Sequence, residues 1–197
     1  MSNTANEPTD AELIERFNRG EKEVFNILAD RYVGRAYQIA YGVLGSREDA
    51  EEVAQDVFVR IYKALPRFRG DARFSTWMYR IAMNLARNKY RWNKTRGSQK
   101  KISLEETEEE EDNSYGIQVP AKEPAPDEQT DLTEFQQKVM REIENLPQLY
   151  KEALILRNIE EMSYEQIAET LDCKLGTIKS RIARAREELR KRIESDE

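Results

Sequence analysis

The sequence contains no histidine, which removes the side chain that most often acts as general base, as partner of an activated nucleophile and as metal ligand. Cysteine occurs once, at Cys173, so no disulfide can form within the chain and a reducing compartment is expected. No apolar run has membrane-spanning length, no signal-peptide pattern is present, and none of the eight glycines builds a phosphate-binding loop. These absences exclude a disulfide-stapled domain, membrane insertion and P-loop nucleotide chemistry. Enzyme activity is left only to carboxylates acting alone, so a non-enzyme is expected, with no cofactor, no metal site and a cytoplasmic location.

What the chain has in abundance is charge, and the charge is sorted. Acids outnumber bases 38 to 32, a net charge of −6 that taken as an average argues against a nucleic-acid partner. Yet between Arg60 and Lys101 the only acid is Asp71, among bases from Lys63 and Arg67 through Arg96 and Lys100. EETEEEED follows at 105–112, and residues 174–186 are again free of acids. Two positive islands separated by a negative strip are a pattern that net charge conceals. Like charges repeated along one helix destabilise it unless something outside the protein rewards them.

The periodicity is helical throughout, without a strand pattern. Thr9 and Glu12 have capping-box spacing for a helix that Gly20 closes. A long helix is expected over about 21–44, striped by Val24, Phe25, Leu28, Tyr32, Ala36, Ile39 and Val43 and ended by Gly45. Ser46, with Asp49 at the reciprocal position, caps a third helix reaching Leu65 before Pro66. PRFRGDARF, 66–74, reads as a loop, and a fourth helix runs from Ser75 to about Lys94. Acids and the prolines of PAKEPAP then describe a tether that cannot bury enough surface to order itself. Helix resumes with Asp131 and Glu134 capping a segment to about Glu144, Pro147 opening another to Asn158, a Ser163–Gln166 capping box over 164–171, and a last helix over 175–193. The expected fold is all-α: a helical domain over 1–95, a flexible acidic linker over 96–130 and a helix-turn-helix domain over 131–197.

MSYEQIAETLDCKLGTIKSRI has the layout of a helix-turn-helix, a short capped helix, a tight turn and a second helix. On that second helix Ile178, Ile182, Ala185, Leu189 and Ile193 fall at three- and four-residue steps and are expected to face the core. The opposite side centres on Gly176, Ser180 and Ala183, with Thr177 and Arg184 beside them and Lys179 and Arg181 on the shoulders. Small residues let the helix approach a groove closely while the long basic arms reach phosphates or guanine. Earlier in the chain Arg80, Asn84, Arg87, Asn88 and Arg91 form one stripe near Phe68, Phe74, Trp77, Tyr79 and Tyr90. A cationic track interleaved with flat rings suits unpaired nucleic acid, and FRGDARF with Asn84 offers polar groups for a flipped base. The alternative is that Phe74 and Trp77 are core residues only, and for Trp77 core packing fits at least as well as base contact. On the third helix Glu48, Glu51, Glu52, Gln55 and Asp56, with Val59, make an acidic strip that suits solvent or a protein, not DNA.

DAEEVAQDVFVRIYKALPRFRGDARFSTWMYRIAMNLARN, followed after a linker by LPQLYKEALILRNIEEMSYEQIAETLDCKLGTIKSRIARAR, resembles the extracytoplasmic-function group of bacterial sigma-70 family sigma factors, over most of 10–94 and 131–193. The resemblance implies two domains, regions two and four, and a subunit that recruits core RNA polymerase, recognises −35 and −10 promoter elements and opens the duplex. It implies that Asp49, Glu52, Gln55, Asp56 and Val59 dock on the β′ clamp helices. It places Arg69, Asp71, Phe74, Trp77, Arg80, Asn84, Arg87, Asn88 and Arg91 at the melted −10 element, and Lys174, Thr177, Lys179, Ser180, Arg181, Ala183 and Arg184 at the −35 element. The second domain is implied to meet the β flap, an anti-sigma factor to be a further partner, and the polymerase-bound chain to be nucleoid-associated. Ala183 is smaller than the bulky side chain that some relatives carry there, and Lys174 replaces a frequent proline. Two other classes fit parts of the pattern: a dimeric regulator using only the helix-turn-helix, and an interaction protein that binds polymerase without stimulating initiation.

Overall fold

A computed structural model describes residues 7–99, 139, 141–158 and 161–194 of the chain. Most of the expected linker, 100–130, and the expected helix start at Asp131–Glu134 lie outside the described residues. Among the described residues every regular element is a helix.

Helix α1 (Asp10–Asn18) opens on the full capping box: the Glu12 amide donates to Thr9 Oγ1 at 3.3 Å and the Thr9 amide donates to Glu12 Oε2 at 2.7 Å. It buries Leu13, Ile14 and Phe17. Beyond it the expected long helix begins differently. Its first turn, Lys22–Val24, is a 3-10 turn, and α2 proper spans Phe25–Leu44. No side chain caps Glu21 or Val24, so the entry tightens into i→i+3 bonding. α2 stops where Gly45 adopts φ +70°, its amide bonding back to the Tyr41 carbonyl at 2.8 Å.

α3 (Arg47–Ala64) starts on Ser46, whose hydroxyl accepts from the Asp49 amide. Only half of that box forms, because the Asp49 carboxylate is drawn across to Asn93 at 2.8 Å and Lys89 at 3.4 Å. α4 (Phe74–Gln99) outruns its expected end at Lys94. α1 to α4 share one core around α2, in which Phe17, Phe25, Phe58 and Tyr62 meet edge-on or tilted with centroids 5.1 to 6.4 Å apart.

The carboxy-terminal unit contributes a helical stretch at 141–144, then α5 (Gln148–Asn158), α6 (Tyr164–Thr170) and α7 (Leu175–Glu194). Ser163 and Gln166 form the expected box at α6 with bonds of 2.8 and 3.2 Å. Ile178, Ile182 and Ala185 of α7 are buried, while Leu189 and Ile193 are only half-buried. On α5 the six successive residues Lys151 to Leu156 are all buried. At about 100° per residue that run covers the whole circumference, so neighbours must enclose α5. α7 packs on one side and α2 on the other.

The two units therefore share a core. Ala153, Ile155, Leu156, Met162, Ile167, Leu171, Ile178 and Ile182 join the cluster built by α1 to α4. At the seam Gly42 lets α5 approach so closely that a Cβ there would stand 3.0 Å from Ile155 Cδ1. Phe58, 1% exposed and central to the aromatic cluster, gives a direct test of this core. Phe58→Ala should lower the unfolding free energy by about 3–5 kcal/mol, read from the midpoint of urea denaturation.

Candidate nucleic-acid interface

The loop between α3 and α4 turns at Gly70, φ +77°, leaving Arg69 and Asp71 exposed at its tip. Its rings point inward. Phe68 lies 4.8 Å from Trp77, Phe74 lies 6.0 Å from Trp77 and 5.3 Å from Tyr32, and Phe74 is 4% exposed. Phe74 thus has no free face for a base. With Trp77, half-buried in the same cluster, it fastens the loop to the start of α4 and fixes where Arg69 and Asp71 stand.

Down α4, Arg80, Asn84, Asn88 and Arg91 are exposed along one stripe, as the spacing predicts. Two of its cations are engaged within the chain. Arg80 donates to the Glu169 carbonyl of α6 at 2.6 Å. Arg87 forks onto Glu152 of α5, Nε to Oε1 at 2.7 Å with Nη2 paired to Oε2. Donating these bonds to Glu152 holds the Arg87 guanidinium above its ordinary pKa against the cost of burial. Trp92, although spaced to share a helix face with Leu85 and Ile81, does not join the core as Leu85 does. It is 48% exposed, with Lys89 5.1 Å and Arg96 4.0 Å from its ring centroid.

α7 carries the second cationic surface. Lys174, Gly176, Lys179, Ser180, Ala183 and Arg184 are exposed, and Thr177 and Arg181 are half-buried. The Ser180 hydroxyl donates to the Thr177 carbonyl at 2.9 Å, which keeps that side chain short against the helix. Arg181 leans back toward Cys173, whose thiol packs against the core. Asp172, at φ +50°, completes the turn that sets α6 against α7. The small-residue centre and the basic shoulders thus lie on one accessible face.

The acidic strip of α3 exposes Glu52, Gln55 and Asp56, with Asp49 and Val59 half-buried beside them. Lys89 of α4 bridges Glu52 and Asp49. Burial opposes the Lys89 charge, but Glu52 and then Asp49 outweigh it and raise its pKa. Asp56 is raised as well, first by desolvation and then by the Glu52 charge, with Arg60 and Lys89 opposing. Sequence reasoning did not find Lys89 as the counter-ion of this strip. The available signal was that Lys89 lies off the Arg80–Arg91 stripe, which implies a different neighbour. Glu152 and Lys151 were missed too, since an adjacent acid–base pair on a helix reads as solvated surface.

The sigma-70 region 2 family model matches residues 28–96, and that of sigma-70 region 4 matches residues 136–189. The chain is 36% identical to the ECF RNA polymerase sigma-E factor of Haemophilus influenzae, over 96% of this chain and 98% of that one. It is likewise 36% identical to the ECF RNA polymerase sigma-E factor of Escherichia coli K12, covering 94% and 95%. RNA polymerase sigma-H factor of Pseudomonas aeruginosa is 35% identical, covering 94% of both. In fold the chain is similar to CnrH in its complex with the cytosolic domain of CnrY, with a TM-score of 0.66 and 22% identity over 94% of this chain and 97% of that one.

The raised pKa of Asp56 makes its ionised form a cost to the free fold at neutral pH. A folded-state pKa above the unfolded one means that this cost is present above the folded value and vanishes as pH falls below the unfolded value. Asp56→Asn should therefore raise the thermal midpoint slightly at pH 7, and the gain should disappear in scans below the ordinary aspartate range, where the wild-type carboxyl is itself neutral.

Proposed function

The chain belongs to the sigma-70 family of RNA polymerase sigma factors, in its extracytoplasmic-function group, and from that premise we propose how its surfaces divide the work. A sigma factor is a non-catalytic subunit that binds core RNA polymerase in the cytoplasm, directs it to promoters and starts transcription there. No helix among the described residues is long and apolar enough to cross a membrane.

In our reading residues 1–95 dock on core polymerase and hold the melted −10 element, 96–130 tether, and 131–197 read the −35 element. The observation that carries the division is two cationic surfaces of different kinds on one chain. The α7 face, small at its centre and basic at its shoulders, suits the major groove of a closed duplex, with Lys179, Arg181 and Arg184 reaching phosphates or guanine. The α4 stripe of Arg80, Asn84, Arg87, Asn88 and Arg91, continuing to Arg69 and Asp71 in the loop, suits separated strands. Phe74 and Trp77 serve this surface by positioning the loop. Asp49, Glu52, Gln55, Asp56 and Val59 have the wrong sign for DNA, which favours the β′ clamp helices as their partner. The β flap is the partner assigned to the second domain. An anti-sigma factor is a further expected partner, as in the Bartonella quintana sigma factor RpoE solved with the anti-sigma factor NepR, a fold match at TM-score 0.59 and 21% identity over 90% of this chain and 98% of that one. Association with the nucleoid follows from promoter binding.

Run-off transcription with core enzyme on a genomic promoter library tests the reading as a whole; no redirection of core would overturn it. Arg184→Glu should reduce initiation about tenfold or more at promoters that need their −35 element, the loss expected of one base or phosphate contact replaced by repulsion. Asp56→Lys should weaken binding to core without changing which promoters are preferred, measured by titrating core against labelled chain.

A further inference from the structure

Among the described residues a single aromatic side chain is exposed, and it stands on the helix assigned to separated strands. Trp92 is 48% exposed, whereas every other described phenylalanine, tyrosine and tryptophan is buried or half-buried. The rings nearest the loop tip, Phe68, Phe74 and Trp77, turn their faces to one another. From Arg80 to Asn88 the strand track therefore offers cations and amides but no exposed ring.

Trp92 falls in register with that track. Arg80, Asn84, Asn88, Trp92 and Arg96 follow one another at four-residue steps, and all five are exposed. Such a row makes a continuous ridge, with about 6 Å between steps and about 24 Å from end to end. Its surroundings are cationic, since no acid occurs between Arg73 and Leu104. Lys89 Nζ lies 5.1 Å and the Arg96 guanidinium carbon 4.0 Å from the ring centroid. Asp49 and Glu52 hold Lys89, so that contact ties the indole to the α3 side. Arg96 is exposed and can turn from the ring to a phosphate. Two cations thus orient the indole while almost half of it still faces solvent. A solitary exposed apolar residue needs no explanation, but a ring set in a row of amides and guanidinium groups has the composition of a single-strand site.

We propose that Trp92 is a stacking platform for one unpaired base of the promoter strand, with Arg96 taking the phosphate beside it. The inference rests on the assignment of the α4 stripe to separated strands and extends that stripe by one helical turn. Every base has a π-face, so the contact adds affinity at a fixed place in the strand with little preference for which base stands there.

The test is binding of the full chain, assembled with core polymerase, to a fork probe that is duplex over the −35 element and single-stranded over the −10 element. The probe is built on a promoter that run-off transcription returns, and bases of its unpaired segment are removed one at a time, leaving sugar and phosphate. In the wild type, removing the base that stacks on Trp92 should weaken binding about fivefold or more, the range of a single base–aromatic stack. Trp92→Ala should cost the intact probe a similar factor and make removal at that one position silent, because both changes delete the same contact. Trp92→Phe should keep the sensitivity and Trp92→Leu should lose it. The proposal is overturned if Trp92→Ala leaves the intact probe bound as before, if no position becomes silent, or if leucine serves as well as phenylalanine. It is overturned too if Trp92→Ala weakens binding to core by the same factor without DNA, which would make the ring a protein contact. Arg91→Gln separates this proposal from the reading beneath it. A loss there with the Trp92 variants unchanged leaves the strand assignment standing without the platform, and no loss from either overturns both.

Discussion

A carboxylate as deeply enclosed as that of Glu152 is tolerable only beside a cation with well-placed donors, and the cation it finds belongs to the other half of the chain. That requirement organises the seam. Lys151 and Glu152 are adjacent on α5, so their side chains diverge by about 100° and address two different helices. Glu152 takes Arg87 of α4, and Lys151 takes a carbonyl near the carboxy-terminal end of α2, where a helix leaves its last carbonyls unpaired and partly negative. Two opposite charges thereby fix both the rotation and the height of α5 against the first unit. Ile155 over Gly42 supplies the close apolar approach, and the charges decide which approach is made.

The same logic recurs at the acidic strip. Lys89 and Asn93 of α4 hold Asp49, and Lys89 also holds Glu52, so a surface assigned to a partner protein is partly neutralised from within. A chain that must present dense positive and negative surfaces to a large machine would otherwise repel itself along each of them. Pairing those surfaces with its own residues lets the free protein remain compact. The pairs differ in accessibility: Glu52 is exposed, so a competing cation can reach it, whereas Glu152 is sealed and is released only if α5 moves.

Local chemistry accounts for what is legible in the sequence. The capping boxes at Thr9 and Ser163, the left-handed stop at Gly45 and the apolar stripes of α2 and α3 each depend on residues within four positions of one another, and all form. Where expectation and structure part, a long-range partner is the cause. The Asp49 half of the Ser46 box is lost to Asn93 and Lys89. The loop rings illustrate the same divide, since a phenylalanine reads alike whether it stacks on a base or on Trp77.

By itself, then, the sequence determined an all-α fold, the placing of its caps and turns, the sorted charge and the face that each helix offers, because these follow from side-chain chemistry and a 3.6-residue period. Tertiary structure alone decided that Arg80 and Arg87 are occupied, that Lys89 serves the acidic strip and that α5 is enclosed on every side. Those outcomes join residues 37 to 89 positions apart, and no local pattern encodes which distant carboxylate a given arginine will meet.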